Sequence, residues 1–495
     1  MIKWIKQNRG EFLLISFILL LAAFFRFYKI DQYMTFLGDE GRDAIIVKSL
    51  LVDHDLPFIG PPTSVGNLYL GPLYYYMMVV SMAVFWLNPV AASGMVALIG
   101  VAAVGLIYYL AREWFGKYPA LISSFLYAVS PVNINYSRFS WNPNPTPFFS
   151  LLAILGFYKA HKSRDFRWLI LSGGVLAGAL QMHYLALILV PVAGVLWLME
   201  LLSKTSKRFF LTGTVGAVLA FILLMFPLVL FDFRHNFLNY RGAQEMFFGK
   251  GEAVSFNLIT RIGEIINIFN EKLIGRYIGG ANWLVTLLVS MLIVLTLLIS
   301  LKIKMAGKTL AWHYKVLSVW LILGLIGLSF YKNEIYDHYL GFLNPAPYLL
   351  IGGLLGYLKG KWQIIAGGVF VIVLGFVNFQ KSPLLLPPNN QLGKTQEVAR
   401  FIIDQSDNQP FNFALLAKSN YDSAYQYYLD LYGHKPKVVP VEITDQLFVV
   451  CEDEECIPIN SPKYEISAYG WAKVEWIKEI DGIKVFKLIP NPSGK

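Results

Sequence analysis

The stretch from Trp168 to Leu202 reads WLILSGGVLAGALQMHYLALILVPVAGVLWLMELL, and its only ionisable side chains belong to His183, Tyr184 and Glu200. As one helix this stretch would extend roughly 52 Å, whereas the hydrocarbon core of a bilayer is about 30 Å thick. It therefore predicts two membrane spans, Trp168 to Met182 and Leu185 to Leu202, with His183 at the turn between them.

Similar apolar stretches run through most of the chain. Residues of the AVILMFWYC set make up 56% of the 495 residues and charged residues 15%, against roughly 45–50% and about 25% in soluble domains. This composition excludes a water-soluble architecture for most of the chain, and it excludes disorder and a disulfide scaffold, since there are two cysteines. The other apolar stretches lie near Phe12 to Phe25, Pro72 to Leu87, Val90 to Leu110, Tyr118 to Asn133, Pro147 to Tyr158, Phe209 to Phe231, Trp283 to Leu301, Val316 to Tyr331, Pro345 to Leu358 and Trp362 to Phe379.

The basic residues indicate which side of the membrane each connection occupies. The net charge is +10, but Lys and Arg that set membrane orientation explain this excess, and we expect no nucleic-acid partner. The short connections that hold most of the Lys and Arg residues should all be cytoplasmic. These are Arg112 and Lys117; Lys159, Lys162, Arg164 and Arg167; Lys204, Lys207 and Arg208; Lys302, Lys304, Lys308 and Lys315; and Lys359 and Lys361.

The number of spans follows from parity. An even number of crossings must separate a cytoplasmic N-terminus from Arg112, yet three apolar stretches lie between them. Pro72 to Leu87 is the best candidate for a stretch that does not cross, because as a helix it reaches only about 24 Å. We therefore predict an interfacial or membrane-embedded helix there, eleven true spans, and a multi-pass protein of the plasma (inner) membrane with its N-terminus inside.

The same parity divides the chain into two domains. Residues 1–380 form the transmembrane domain, with large outer loops at 30–89 and 232–282, and residues 381–495 form a polar domain outside the membrane. The fold class is thus a polytopic all-α membrane protein with a small extracytoplasmic α/β domain. The alternating helix-like and apolar stretches of that domain lie near Thr395 to Asp404, Phe411 to Leu416, Tyr421 to Tyr432 and Gln446 to Val450.

The first outer loop carries Asp39, Glu40, Arg42 and Asp43 just before a helix-like stretch, Ala44 to Val52. One interpretation is helix capping, with Asp39 as N-cap and Asp43 in the first turn. The other is a carboxylate that takes a proton from an attacking hydroxyl, beside an arginine that could hold an anion.

Several cationic or imidazole side chains fall on the predicted outer side, where the orientation rule disfavours them. Each could be a snorkelling side chain or a lipid head-group contact. Together they suggest a phosphate-binding rim beside the acids. They are Arg42, Lys48, Arg138, His183, Arg234, His235 and Arg241.

Two further patterns stand apart from these loops. Apolar spacing from Ser255 to Arg276 predicts an amphipathic helix on the membrane. Cys451 and Cys456 could close a disulfide loop in an oxidising exterior or bind a metal, although no histidine lies nearby. The sequence contains no zinc-binding pattern, P-loop, dinucleotide fingerprint or nucleophile elbow.

The spans, the acid pair and the outer domain together resemble the C-type membrane glycosyltransferases, in the branch of protein O-mannosyltransferases and lipid A aminoarabinose transferases. The resemblance is most specific over residues 24–240. The segments that carry it are Phe25 to Tyr28, Gly38 to Asp43, Gly71 to Tyr75, Ser130 to Pro131, Tyr136 to Arg138, Gln181 to Tyr184 and Phe231 to His235, with a further match at His338 to Leu340.

This resemblance implies transfer of a sugar from polyprenyl phosphate, outside the cytoplasm, to a hydroxyl of a lipid, glycan or protein acceptor. Asp39 would be the catalytic base, and Glu40, its neighbour in the catalytic pair, would contact the acceptor or the sugar. Such an inverting displacement needs no metal or other cofactor. The implied phosphate or donor ligands are Arg42, Arg138, His183, Arg234, His235 and Arg241, and the implied sugar or acceptor contacts are Asp43, Asn142 and Tyr339.

The sequence also departs from the aminoarabinose transferases. Gly71 stands where they have a lysine, His183 lies where a second lysine is expected, and Asn142 and Asn144 occupy the region of an acid. These differences argue against a strict aminoarabinose transferase.

Two other classes of function compete with the enzyme. A transporter or a flippase of lipid-linked sugars would have ionisable residues inside its spans, whereas the span centres here are almost free of charge. A membrane-anchored binding protein would make the C-terminal domain the functional part.

Cysteine-accessibility labelling tests the topology. We expect cysteines placed at Lys162 and Lys308 to react only from the cytoplasmic side, and those at Asn239 and Lys418 only from outside. Labelling of position 162 from outside would make Pro72 to Leu87 a crossing helix.

Overall fold

The computed structural model describes residues 2–64, 68–203, 207–248, 254, 258–305, 311–453 and 455–491, and most of them are helical. Short 3₁₀ helices occur at Tyr184–Ile188, Asp337–Leu340 and Pro383–Leu385, and a π-helix at Ile268–Gly275. The α-helices are Ile2–Gln7, Arg9–Phe27, Ile30–Tyr33, Gly38–Val52, Leu73–Val84, Pro89–Phe115, Lys117–Val129, Pro131–Asn135, Thr146–Ser163, Trp168–Met182, Leu189–Leu201, Lys207–Arg234, Leu238–Phe248, Leu258–Asn267, Trp283–Met305, Trp312–Ser329, Pro345–Tyr357, Lys361–Phe379, Gln391–Gln405, Ser423–Leu431 and Tyr464–Tyr469.

Among the described residues, seven helical segments are long and apolar enough to cross a membrane. Two shorter apolar helices accompany them, Leu73–Val84 and Trp168–Met182. The first has 12 residues and extends only about 18 Å. The seven long segments are Arg9–Phe27, Pro89–Phe115, Tyr184–Leu201, Lys207–Arg234, Trp283–Ile303, Trp312–Ser329 and Lys361–Phe379. The count of eleven spans and the orientation of the chain therefore stay predictions.

The predicted break at His183 is present. Helix Trp168–Met182 ends there because the backbone of His183 is extended, with φ −157° and ψ 132°. Its imidazole Nδ1 accepts a hydrogen bond from the backbone N–H of Leu185, at 3.2 Å, and so caps the 3₁₀ helix that follows. A polar side chain thus lies between two apolar segments, where it satisfies an otherwise unpaired backbone donor.

The amphipathic stretch begins in residues 255–257, which lie outside the described part of the chain. From Leu258 onward it is helical, first as the α-helix Leu258–Asn267 and then as the π-helix Ile268–Gly275.

The C-terminal domain contains a four-stranded sheet, as an α/β domain requires. Its strands are β1, Asn412–Leu416, β2, Leu447–Cys451, β3, Ala472–Ile480, and β4, Ile483–Pro490, in the order β1-β2-β4-β3. β1 and β2 are parallel and the other pairs are antiparallel. β3 and β4 were not predicted from the sequence, because β3 is an edge strand whose apolar and charged residues are both largely exposed. Cys451 and Cys456 form a disulfide.

The C-terminal domain packs against residues 30–89, the segment that the sequence predicts to be the first outer loop. Helix Ser423–Leu431 lies on helix Gly38–Val52, and one buried apolar cluster continues from Phe36 and Val47 into Tyr425 and Tyr428. The contact is close at Gly41, where a Cβ atom would lie 2.3 Å from the backbone nitrogen of Ala424.

Two polar contacts frame this interface. Lys48 Nζ lies 2.8 Å from Asp430 Oδ2, and the Tyr427 hydroxyl donates to the carbonyl of Leu87. Both link the C-terminal domain to the first outer loop.

We expect Gly41→Ala to weaken this docking, because the added methyl overlaps backbone atoms that cannot rotate away. Overpacking of this kind costs about 1–3 kcal/mol. Limited proteolysis should then cut faster in the connection 380–390. Gly368→Ala is the matched control, since no atom lies within 4 Å of its added Cβ, and equal cleavage of both variants would contradict the close packing.

Candidate active site

A cavity of about 420 Å³ opens beside the first turn of helix Gly38–Val52. Both domains contribute to its wall. Its lining residues are Asp39, Arg42, Pro61, Pro62, Thr63, Ser64, Leu70, Trp141, Asn142, Pro143, His183, Tyr184, Tyr336, His338, Tyr339 and Tyr421. Asp39, Arg42, Asn142, His183 and Tyr339 of the predicted site residues therefore meet here.

Asp39 is the carboxylate of this cavity, and its side chain is 38% exposed. Its Oδ1 accepts hydrogen bonds from Arg42 Nη1, at 2.7 Å, and from the Tyr421 hydroxyl. Within the described chain no group donates to Oδ2. One carboxylate oxygen is therefore held and the other is available to a ligand.

The prediction that Asp39 is the N-cap is wrong. The helix already begins at Gly38 and its N-cap is Leu37, so Asp39 lies in the first turn, where a negative charge suits the helix dipole. The capping side chain is that of Glu40, whose Oε2 accepts from the backbone N–H of Leu37 at 2.9 Å.

Glu40 is buried and is not among the residues that line the cavity. Burial raises the pKa of Glu40 from its usual 4.5 to about 8, because a carboxylate loses hydration in this environment. The side chain is thus mainly protonated at pH 7. This placement supports a role in capping the helix rather than the catalytic role inferred from sequence.

Asp43 lies beneath the cavity, fully buried. Its Oδ1 accepts from Arg42 Nη2 at 2.7 Å and Nε at 3.0 Å, and from the Tyr75 hydroxyl at 3.3 Å. Burial raises the pKa of Asp43 to about 6, and the neighbouring guanidinium opposes that change. Asp43 therefore fixes Arg42 between two carboxylates and is too deep to contact a sugar.

His183 and His338 are neutral imidazoles in this cavity. Burial lowers the pKa of His183 well below its usual value and that of His338 to about 4. Because Nδ1 of His183 accepts from Leu185, the single proton of the neutral ring resides on Nε2. His183 can thus donate one hydrogen bond to a ligand without carrying a charge.

Aromatic rings form much of the remaining wall. Tyr184 stacks on His183 with ring centroids 4.7 Å apart, and Trp141 lies 4.4 Å from His338. Asn142 also faces the cavity, but its Nδ2 donates to the carbonyl of Met182 at 2.7 Å. These contacts hold the His183 turn in place.

The structure places Arg138 outside the cavity, contrary to the predicted phosphate role. Arg138 is buried and donates to the carbonyl oxygens of Phe25, at 2.5 Å, and Tyr28, at 2.6 Å. It thereby satisfies the unpaired carbonyls at the end of the helix Arg9–Phe27.

Three more predicted phosphate ligands are exposed and are not lining residues: Arg234, His235 and Arg241. The Arg234 guanidinium lies 5.6 Å from the ring centre of Phe58, and the His235 ring stacks on Phe231 at 3.9 Å. Arg234 and His235 therefore pack on nearby aromatic rings, and none of the three residues lines the cavity.

No role was predicted from the sequence for Trp141, His338 or Tyr421. His338 had a signal, since it belongs to one of the segments that carry the family resemblance. No sequence signal pointed to Tyr421, because 382 positions separate it from Asp39. Only the packing of the two domains brings these side chains together.

An apolar groove of about 390 Å³ adjoins the cavity, and Tyr184 lines both. Its other walls are mainly aliphatic, with Leu187, Ile188, Leu323 and Ile326 among them. A ligand with a polar head and a hydrocarbon tail matches this pair of surfaces.

Comparisons with known proteins agree with this arrangement. Residues 70–231, about a third of the chain, match the family model described as dolichyl-phosphate-mannose-protein mannosyltransferase. The chain is 28% identical over 159 residues to YkcB of Bacillus subtilis, whose name marks it as a candidate mannosyltransferase; the match covers 32% of this chain and 22% of YkcB.

Solved structures extend the likeness to nearly the whole chain. ArnT from Cupriavidus metallidurans, solved with undecaprenyl phosphate, is 14% identical with a TM-score of 0.65, covering 97% of this chain and 98% of ArnT. The oligosaccharyltransferase AglB from Archaeoglobus fulgidus, solved with an inhibitory peptide and a dolichol-phosphate, is 12% identical with a TM-score of 0.55, over 87% of this chain and 64% of AglB. These structural matches confirm the predicted fold class, and the family model and the likeness to YkcB agree with the resemblance to this branch of glycosyltransferases.

Glu40→Gln should remove a pH-dependent loss of stability. The folded protein retains the Glu40 proton between pH 4.5 and about 8, whereas the unfolded chain has lost it, so stability falls as pH rises through that window. Glutamine still accepts from Leu37 and does not titrate. The difference in melting temperature, variant minus parent, should therefore be more positive at pH 8 than at pH 5. Exposed Glu397→Gln is the control, and a Glu40→Gln variant that follows the parent at both pH values would contradict the assignment.

Proposed function

We propose that this protein is an integral-membrane glycosyltransferase that moves a sugar from a polyprenyl-phosphate donor to an acceptor hydroxyl on the extracytoplasmic face. The observation that carries the proposal is the junction of the polar cavity around Asp39 with the apolar groove at Tyr184. A polyprenyl-phosphate sugar has a polar head and an apolar tail that fit these two surfaces.

The reaction is a single displacement at the anomeric carbon. The acceptor oxygen forms the new bond to this carbon as the bond from carbon to the phosphate oxygen breaks, and its electron pair leaves on the phosphate. The acceptor proton passes to Oδ2 of Asp39, the carboxylate oxygen that receives no hydrogen bond from the described part of the chain. Attack from the face opposite the leaving group inverts the centre.

The leaving phosphate gains negative charge as the bond breaks, and the cavity offers donors for it. His183 supplies a neutral Nε2–H, and Arg42 and Tyr339 also line the cavity. Hydrogen bonds placed where charge develops stabilise the transition state more than the ground state. Arg42 is the only Lys or Arg among the described lining residues, so the charge of the phosphate is met mainly by dipoles.

The aromatic wall supports a sugar as the transferred group. Trp141 and Tyr339 line the cavity, and the C–H faces of a pyranose pack on aromatic rings. The mannosyltransferase description of the matched family model makes mannose a reasonable first donor to assay.

Asp39→Asn tests the base. Asparagine retains an oxygen that accepts from Arg42 and Tyr421 but cannot take the acceptor proton, so release of label from radiolabelled polyprenyl-phosphate sugars should fall by at least about a hundredfold. Mannose would head the panel of sugars, and donor binding should persist.

The matched control is Asp404→Asn, at an exposed acid on helix Gln391–Gln405, which should leave turnover unchanged. Near-normal turnover by the Asp39→Asn variant would refute the base assignment. A parent protein that moves the labelled lipid across the bilayer without releasing the sugar would instead identify a flippase.

A further inference from the structure

We infer that Tyr421, in the C-terminal domain, is a positioning residue for sugar transfer: its hydroxyl holds Oδ1 of Asp39 so that Oδ2 faces the acceptor. This inference rests on the proposed function. It gives the C-terminal domain a direct part in the reaction that the transmembrane domain hosts.

The donors and acceptors in this contact have defined directions. Arg42 Nη1 can only donate, and it lies 3.2 Å from the Tyr421 hydroxyl oxygen and 2.7 Å from Asp39 Oδ1. The phenol therefore accepts from the guanidinium and gives its own proton to the carboxylate. Two donors thus converge on Oδ1.

The ring of Tyr421 is seated against the start of the helix that carries Asp39. A Cβ atom at Gly38 would lie 2.5 Å from Cγ and Cδ2 of this ring, so only glycine allows the approach. Asn420 adds a second link, since its Oδ1 accepts from the backbone N–H of Gly38 at 2.9 Å and from that of Tyr421 at 2.8 Å.

The segment that carries Tyr421 is itself anchored within the C-terminal domain. Asn420 Nδ2 donates to the Glu452 carboxylate at 3.0 and 3.1 Å, and the Tyr425 hydroxyl donates to the same carboxylate at 2.8 Å. The position of the Tyr421 hydroxyl is therefore set by the folded domain rather than by a mobile side chain.

Such an arrangement should affect the chemical step more than donor binding. A carboxylate that can rotate loses part of the advantage of being close to the acceptor, whereas one held at Oδ1 presents Oδ2 in a constant direction. The donor phosphate is expected to contact His183, Tyr339 and Arg42. Arg42 stays fixed by Asp43 without the Tyr421 hydroxyl, so donor affinity should change little when that hydroxyl is lost.

Tyr421→Phe tests the inference because it removes the hydroxyl and keeps the ring against Gly38. The probe is the radiolabelled polyprenyl-phosphate sugar that the full-length parent protein turns over. We expect kcat to fall roughly tenfold or more, as for loss of a hydrogen bond to a charged group, while KM for the donor stays within about twofold.

Tyr427→Phe is the matched control. It also removes a tyrosine hydroxyl that links the C-terminal domain to the first outer loop, but its partner is the carbonyl of Leu87 and it is not among the residues that line the cavity. Near-parental kcat for this variant supports the inference. Equal losses of kcat in both variants would show that domain docking alone matters and would overturn it.

The remaining outcomes separate this inference from the proposed function. Parental kcat in Tyr421→Phe, with Asp39→Asn inactive, overturns the positioning role and leaves the enzyme assignment intact. A raised donor KM with unchanged kcat also overturns it, because the hydroxyl would then be a donor ligand. Activity of Asp39→Asn would contradict the proposed function itself.

Discussion

Helix Gly38–Val52 packs between helix Leu73–Val84 and the C-terminal domain, and the cavity depends on this packing. The helix has no side chain at Gly41, where Ala424 of the C-terminal domain lies against its backbone. Its other side contacts helix Leu73–Val84, from which Tyr75 reaches Asp43. The first turn of a helix fixed on two sides presents Asp39 to the cavity at a constant place and angle. A shift of this helix would move the carboxylate relative to every other cavity residue.

The charges in the cavity follow from burial. Asp43 is inaccessible but ionises near neutral pH because Arg42 lies against it, and Arg42 in turn holds Asp39. Glu40 and His183 have no such partner, and burial outweighs the opposing effect of Asp39 on the pKa of His338, so all three are mainly neutral at pH 7. The result is one partly exposed carboxylate held by a single guanidinium, with neutral imidazoles and tyrosines around the rest of the cavity. This is a different arrangement from the cationic rim that the sequence suggested, and it would avoid holding a leaving phosphate too tightly, since dipoles bind a dianion less strongly than several arginines would.

The position of His183 connects the membrane domain to this chemistry. A histidine at the turn between two apolar helices is required by the backbone there, because Nδ1 caps the next helical segment. The same hydrogen bond determines that Nε2 bears the proton. One nitrogen of the ring thus caps the backbone, and the other carries the N–H that we propose contacts the phosphate.

The sequence by itself determined the helical membrane class, the break at His183 and the α/β character of the C-terminal domain, and it selected Asp39 as the candidate base. These features depend on apolar content, helix length against bilayer thickness, and short motifs, all of which are local properties of the chain. Tertiary structure alone decided that Glu40 and not Asp39 caps its helix, that Arg138 ties down the end of the helix Arg9–Phe27, and that His338 and Tyr421 line the cavity with Asp39. These outcomes depend on which backbone groups are left unpaired and on contacts between residues hundreds of positions apart, and no local pattern encodes the distance between Asp39 and Tyr421.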